Sequence, residues 1–388
     1  MTVANRPIAR KPTRSGTLRL AVALVATALA GAASAQAPAW IARLKSELLA
    51  VDGQHRGRLG VYVRDLDTGA SLSHRADERW YLASMVKVPV AIAVLRGIER
   101  GQYGLESTVS VRASDLVDGA GTTQLSPVGA HLSIRYLLEQ MIVHSDNIAT
   151  DMLIDLVGLP EVNALVRLLV PEGLQRITTL AEIRRLVYGL LVPDVDRLTG
   201  RDLMLLRDAR SDAERLQILH QLVNVPESRR LLPSLDAAYA AYYASGLNSG
   251  RLDAYADLLA LLVEGKALTP PSTEHLLGLM ERVATGAHRL KAGLPAGVRL
   301  AHKTGTQRRR VCDAGLLRWN EAAQPRRALV VACIRDETSL DGAEAALMQV
   351  GVALCRSGLL TQGAVDASSC PVPVATPRRQ PGAVPPRR

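Results

Sequence analysis

The chain has 388 residues, 48% of them hydrophobic and 22% charged, which suits one large globular domain and excludes general disorder. Its net charge of +10 is concentrated at the ends: residues 1–35 carry +5 and residues 371–388 carry +4. The part between them is close to neutral, so nucleic-acid binding loses its main support.

In chain order, Arg6, Arg10, Lys11, Arg14 and Arg19 lead into the apolar run Leu20–Ala30, followed by small residues that end in Ala33-Ser34-Ala35. That order is the order of a secretory signal peptide over residues 1–35, cleaved after Ala35, with an uncleaved anchor as the alternative. The apolar run is short for a bilayer span, and no later segment is longer, so the processed chain is expected in the periplasm or secreted, without a stable membrane span. Ile41, Leu44 and Leu48 then predict a helix over Trp40–Leu49. Leu59–Asp65 alternates as a strand, Asp67-Thr68-Gly69 supplies a turn, and Ala70–His74 returns as the second arm of a hairpin. A helical pattern runs from Ser84 to Ile98, and from Ser133 to Val263 almost every segment reads as helix.

Strand character resumes at Val298–Lys303, Val311–Trp319 and Ala328–Arg335, and Ala343–Leu359 closes the chain as an amphipathic helix. Strands at both ends with a helical block between them predict an α/β (α+β) fold. One antiparallel sheet would draw on both ends, flanked by the terminal helices, with the block as an all-α subdomain. A cleft between the two parts is a natural site. Residues 36–370 would form this domain, and the Pro- and Arg-rich residues 371–388 a disordered tail. Cys312 and Cys333 flank a predicted turn near Asn320–Arg326 and can face each other across two strands; Cys355 and Cys370 fall in or after the last helix. In an exported chain bridges are possible, and four unpaired cysteines are equally compatible with these positions.

Three short strings carry chemistry. Ser84-Met85-Val86-Lys87 places a hydroxyl at a helix start and an amine one turn later. A lysine whose ammonium is disfavoured by burial can take the serine proton, and the helix N-terminus can stabilise an oxyanion. Ser145-Asp146-Asn147 lies between two helical patterns: Ser145 can relay a proton to a leaving nitrogen and Asn147 can bind an acyl-amide, while Asp146 braces the loop. Lys303-Thr304-Gly305-Thr306 ends a strand, presenting an ammonium and hydroxyls to a carboxylate, with the N–H of Thr306 pairing with that of Ser84 as an oxyanion hole. Singly, these strings are common as helix caps or charged strand edges. Their order and contexts together make the signal.

With these motifs, the stretch Leu59–Leu359 resembles the class A β-lactamase and penicillin-interacting serine hydrolase family. Gly60-Val61-Tyr62-Val63 with Asp67-Thr68-Gly69, Ala76-Asp77-Glu78-Arg79-Trp80, and Leu290–Gly297 are similar to the family's approaches to its first and third motifs. The resemblance implies a serine β-lactamase-like fold and a cofactor-free, metal-free, monomeric serine hydrolase. Its substrates would be small-molecule β-lactams, or peptidoglycan peptides ending in D-Ala-D-Ala, taken through an acyl-Ser84 intermediate. A penicillin-binding module that acylates and stalls is the third possibility.

The sequence departs from the family at one element. No Glu-x-x-Asn pattern follows Ser-Asp-Asn; Thr178-Thr179-Leu180-Ala181-Glu182 falls in that region without it. Glu182 is the candidate deacylation base, with Asp194, Asp196 and Glu172 weaker ones and an exposed helix acid beside Arg185 as the plain reading. Residues 183–245 read as a helical insertion that lengthens the interval to Lys303. None of the eight histidines forms an H-x-H or H-E-x-x-H pair; His144 and His302 adjoin motifs, and Arg308-Arg309-Arg310 follows the third.

Overall fold

A computed structural model describes residues 37–360, except Ala322, together with Cys370 and Pro371. The expected signal peptide, and all of the expected tail but Pro371, lie outside the described residues. The sheet is five-stranded and antiparallel throughout, in the order Ser71–His74, Arg58–Asp65, Gln324–Arg335, Arg310–Glu321, Arg299–Gln307. The early strand Arg58–Asp65 thus pairs with the late strand Gln324–Arg335, from Arg58 opposite Arg335 to Asp65 opposite Ala328. Both faces are covered, and so Ala328–Ile334 is a continuous apolar run. Ala328, Val330, Ala332 and Ile334 face the terminal helices Ala39–Gln54 and Leu340–Arg356, while Leu329, Val331 and Cys333 face the helical block.

The segment Ser133–Val263 is mainly helical, and side-chain caps such as Ser133, Asp146 and Thr179 start its helices. The helix Pro270–Glu281 lies beyond the segment predicted as helical; Pro270 and Pro271 occupy its first turn, where no N–H partner is lost. Cys312–Cys333 and Cys355–Cys370 are both disulfides, and among the described residues no cysteine is free. Cys312 and Cys333 are opposite one another in the strand register. Among the described residues no helix is long and apolar enough to cross a membrane.

Between Thr178 and Asn248 the chain makes a helical excursion that leaves and returns at one place. It carries the helices Leu180–Gly189, Gly200–Arg207, Asp212–Val223 and Leu235–Ala244. The Thr178 N–H donates to Asn248 Oδ1 at 3.0 Å, and Asn248 Nδ2 donates to Thr178 Oγ1 at 2.7 Å. The Asn248 N–H also reaches the Arg176 carbonyl at 2.9 Å.

Candidate active site

Ser84 lies in a single 3-10 turn, Ala83–Val86, and the α-helix proper begins at Lys87 and runs to Glu99. The predicted helix start is therefore shifted by one turn. Pro89 falls in the first turn of the helix, where its missing N–H has no partner to lose. Ala83 is held at φ +48°, a left-handed conformation that a side chain disfavours, immediately before Ser84. The turn is fastened by the Tyr255 hydroxyl donating to the Met85 carbonyl at 2.9 Å and by the Leu82 N–H donating to the Asn248 carbonyl at 2.9 Å.

Lys87 is fully buried, and its Nζ joins the first two motifs. It donates to Ser84 Oγ at 3.1 Å, to the Ser145 carbonyl at 2.6 Å, to Ser145 Oγ at 3.3 Å and to Asn147 Oδ1 at 2.8 Å. Ser145 has φ +60°, which turns its carbonyl toward that amine. Burial pulls the Lys87 ammonium down to about 7; Asp146 and Asp151 oppose the shift and Arg184 adds to it. The third motif joins at the same hydroxyl: Lys303 Nζ donates to Ser145 Oγ at 2.9 Å and to the Thr304 carbonyl at 3.1 Å. Lys303 is also fully buried, and burial, then the charge of Lys87, hold it well below its ordinary value.

The strand Arg299–Gln307 runs against the Ser84 turn. A Cβ on Gly305 would lie 2.5 Å from the Leu82 carbonyl oxygen, so glycine is what lets this strand pass so close to the turn that carries Ser84. Thr304 is buried with its hydroxyl 2.5 Å from that of Thr285, and Thr306 is exposed. Beneath them lies Arg289, which sequence reasoning missed for want of any local pattern. It donates to Thr306 Oγ1 at 2.7 Å, to the carbonyls of Gly305 and Cys312 at 3.2 and 3.0 Å, and to Glu344 at 3.1 Å. His302, beside Lys303, is buried in a 2.7 Å contact with Asp313.

Asp146 braces the loop: it caps the helix Asn147–Val157 by accepting from the Ala149 N–H at 2.9 Å and holds the Thr123 N–H at 2.9 Å. Asn147 Nδ2 donates to the Asp118 carbonyl at 2.6 Å. One helical turn after Asn147, buried Asp151 accepts the N–H groups of Leu180 and Ala181 at 2.7 and 2.8 Å, and burial raises it to about 7. The i, i+4 spacing from Asn147 was a usable signal for Asp151.

Ser84, Lys87, Ser145, Asn147 and Lys303 are therefore joined by hydrogen bonds, and Thr304, Gly305 and Thr306 follow Lys303 on the strand that passes the Ser84 turn. Glu182 is not joined to this cluster: it is partly exposed and pairs with Arg176 at 3.4 Å rather than with Arg185. Among the described residues no carboxylate hydrogen-bonds Ser84 or Lys87, and no group of three or more His, Cys, Asp or Glu side chains is arranged to hold a metal. Arg308 pairs with Asp212 and Asp236, and Arg310 with Asp336 at 2.8 Å, so the basic triplet is tied to neighbouring elements. The arrangement offers a hydroxyl against a neutralisable amine, a second hydroxyl between two amines, and a strand edge that carries a lysine and two threonines.

The sequence matches the Beta-lactamase enzyme family over residues 43–357. It is 39% identical over 126 residues to β-lactamase ROB-1 of Haemophilus influenzae, a match spanning 32% of this chain and 40% of that protein. A β-lactamase of Streptomyces lavendulae is 28% identical over 300 residues, covering 76% of this chain and 81% of its own. An ancestral Gram-negative class A β-lactamase superposes with a TM-score of 0.60 at 25% identity, over 80% of this chain and 98% of that one. A point mutant of PBP-A, solved as an acyl-enzyme complex with penicillin G, superposes with a TM-score of 0.60 at 22% identity, over 81% and 94%.

Proposed function

Because the chain belongs to the Beta-lactamase enzyme family, we propose that it is a serine hydrolase that opens β-lactam amides through an acyl-Ser84 intermediate. The observation that carries this is the buried Lys87 amine, 3.1 Å from Ser84 Oγ and 3.3 Å from Ser145 Oγ. With its ammonium disfavoured, Lys87 takes the proton as Ser84 Oγ attacks the amide carbonyl. The oxyanion accepts from the N–H groups of Ser84 and Thr306. As the C–N bond breaks, Ser145 passes the proton held by Lys87 to the departing nitrogen. Asn147 binds the acyl-amide, and Lys303, Thr304 and Thr306 hold the substrate carboxylate, whose charge favours the ammonium of Lys303.

Deacylation is a separate step. The helix Leu180–Gly189 presents buried Leu180 and Arg184, one turn apart, on its inner face, while the Glu182 carboxylate is taken up by Arg176. This favours a second reading, in which water attacks slowly and the protein accumulates as acyl-enzyme, as in a penicillin-binding module or a D-Ala-D-Ala peptidase. We also propose that the chain is exported and processed to begin at Gln36, a reading supported by its two disulfides.

Exported protein treated with penicillin G and a chromogenic cephalosporin tests these points together by intact mass and absorbance. A penicilloyl adduct on a chain starting at Gln36, absent from Ser84→Ala, is expected. Sustained cephalosporin turnover supports the hydrolase; a stoichiometric burst with a lasting adduct supports slow deacylation. An adduct of equal yield on Ser84→Ala would overturn the assignment.

A further inference from the structure

The excursion touches the site at a point that the three motifs do not explain. The Asn147 amide has an acceptor oxygen and two N–H donors: Oδ1 accepts from Lys87, one Nδ2 hydrogen goes to the Asp118 carbonyl at 2.6 Å, and the second is left for a ligand. The orientation of that second N–H therefore depends on where the Asp118 carbonyl sits. Gly119 lies directly against Asn147, since a Cβ there would fall 2.2 Å from Nδ2.

The loop Asp118–Thr123 is held firmly at its far end. The Thr123 N–H donates to Asp146 at 2.9 Å, and the Thr122 N–H and hydroxyl donate to Gln140 at 3.3 and 3.1 Å. At its near end the Asp118 side chain is held by Arg184 Nε. Arg184 is buried, carried by the helix Leu180–Gly189, and its Nη1 lies 3.5 Å from the Tyr239 hydroxyl. That helix is itself fixed on Asp151, one turn below Asn147. Two further contacts from the excursion brace the same region. Arg207 donates to Gln124, and Gly200 packs so closely on the Ala113 and Leu116 carbonyls that a Cβ would lie 2.5 and 2.6 Å from them.

We propose that Arg184 is a positioning residue: by holding Asp118, it sets the loop carbonyl that orients Asn147, and so makes recognition of the substrate's acyl-amide depend on the helical excursion. This rests on the acyl-Ser84 reading. The excursion would then be part of the specificity wall of the site and not an appendage.

The test compares acylation rates of the full chain by two probes that differ in one feature. Benzylpenicillin carries an acyl-amide side chain; a penam sulfone such as sulbactam lacks it. Arg184→Met is expected to lose ~10- to 100-fold in acylation by benzylpenicillin, as misplacement of a binding group does, and to stay within about threefold of wild type with the sulfone. Arg184→Lys is expected to recover part of the loss. Asp118→Asn, which keeps the backbone carbonyl and weakens its tether, is expected to shift the ratio in the same direction and serves if Arg184→Met does not fold. Combining Arg184→Met with Asn147→Ala should add little to Asn147→Ala alone. Equal losses with both probes, no loss with either, or fully additive effects would overturn the proposal. Failure of both probes to acylate wild type would instead overturn the acyl-serine reading beneath it.

Discussion

Lys87 is suited to the role of base proposed for it because it is buried away from water and, among the described residues, no carboxylate hydrogen-bonds it. Its three side-chain neighbours, Ser84, Ser145 and Asn147, are all neutral, so burial is not offset by an ion pair. With its value lowered to about 7, the free base is a minor species below that pH and the major one above it. Acylation of Ser84 is therefore expected to rise about tenfold per pH unit below pH 7 and to level off above it. Second-order acylation rates between about pH 5 and pH 9 check this; a flat profile across that range would remove Lys87 as the base. The motif residues were legible because the roles proposed for them require short, fixed spacings. Arg289, Asp118 and Arg184 were not, because each acts through partners distant in sequence: Arg289 through Thr306 and Glu344, Arg184 through Asp118.

Among the elements, the junction between the helices Asn147–Val157 and Leu180–Gly189 matters most to the site. Asp151 receives the first two N–H groups of the second helix, which have no partner within that helix. Asp151→Ala strands both, and is expected to cost about 1–3 kcal/mol in denaturant unfolding. A midpoint unchanged from wild type would show that water or a shifted helix satisfies those groups instead. Helices and strands were mostly readable from periodicity. The 3-10 turn at Ser84 was not, since Ser, Met, Val and Lys fit an α-helix equally well and the contacts that surround the turn, from Gly305, Tyr255 and Asn248, are distant in sequence. Residues 183–245 were legible as helices, but their closure at Thr178 and Asn248 depends on two side chains 70 residues apart.

At the scale of the whole molecule, the sheet joins the two ends of the chain, and the Lys-Thr-Gly strand lies at its edge next to the bridged pair of strands. Cys312 lies opposite both Gly305 and Cys333, so the disulfide fixes the strand that backs the third motif. Reduction, or Cys312→Ala with Cys333→Ala, is expected to lower stability by about 2–4 kcal/mol. Thermal unfolding with and without a reductant checks this, and coincident transitions would show the bridge to be neutral. The excursion spans from one wall to the other: Arg184 and Arg207 reach the loop before Ser-Asp-Asn, while Asp212 and Asp236 receive Arg308 beyond Lys-Thr-Gly. The Arg308 pairs are partly exposed and contribute little singly, whereas Arg184 is buried against Asp118. Together they give the two walls one common support.

The sequence alone determined the sheet-and-helix order, the three motifs and the absence of a Glu-x-x-Asn loop, because these are written in local spacing and residue type. Only the tertiary structure decided which groups surround Lys87, which cysteines pair, and what the excursion touches. Those outcomes depend on burial and on contacts between residues tens to hundreds of positions apart, for which a single sequence carries no local signal.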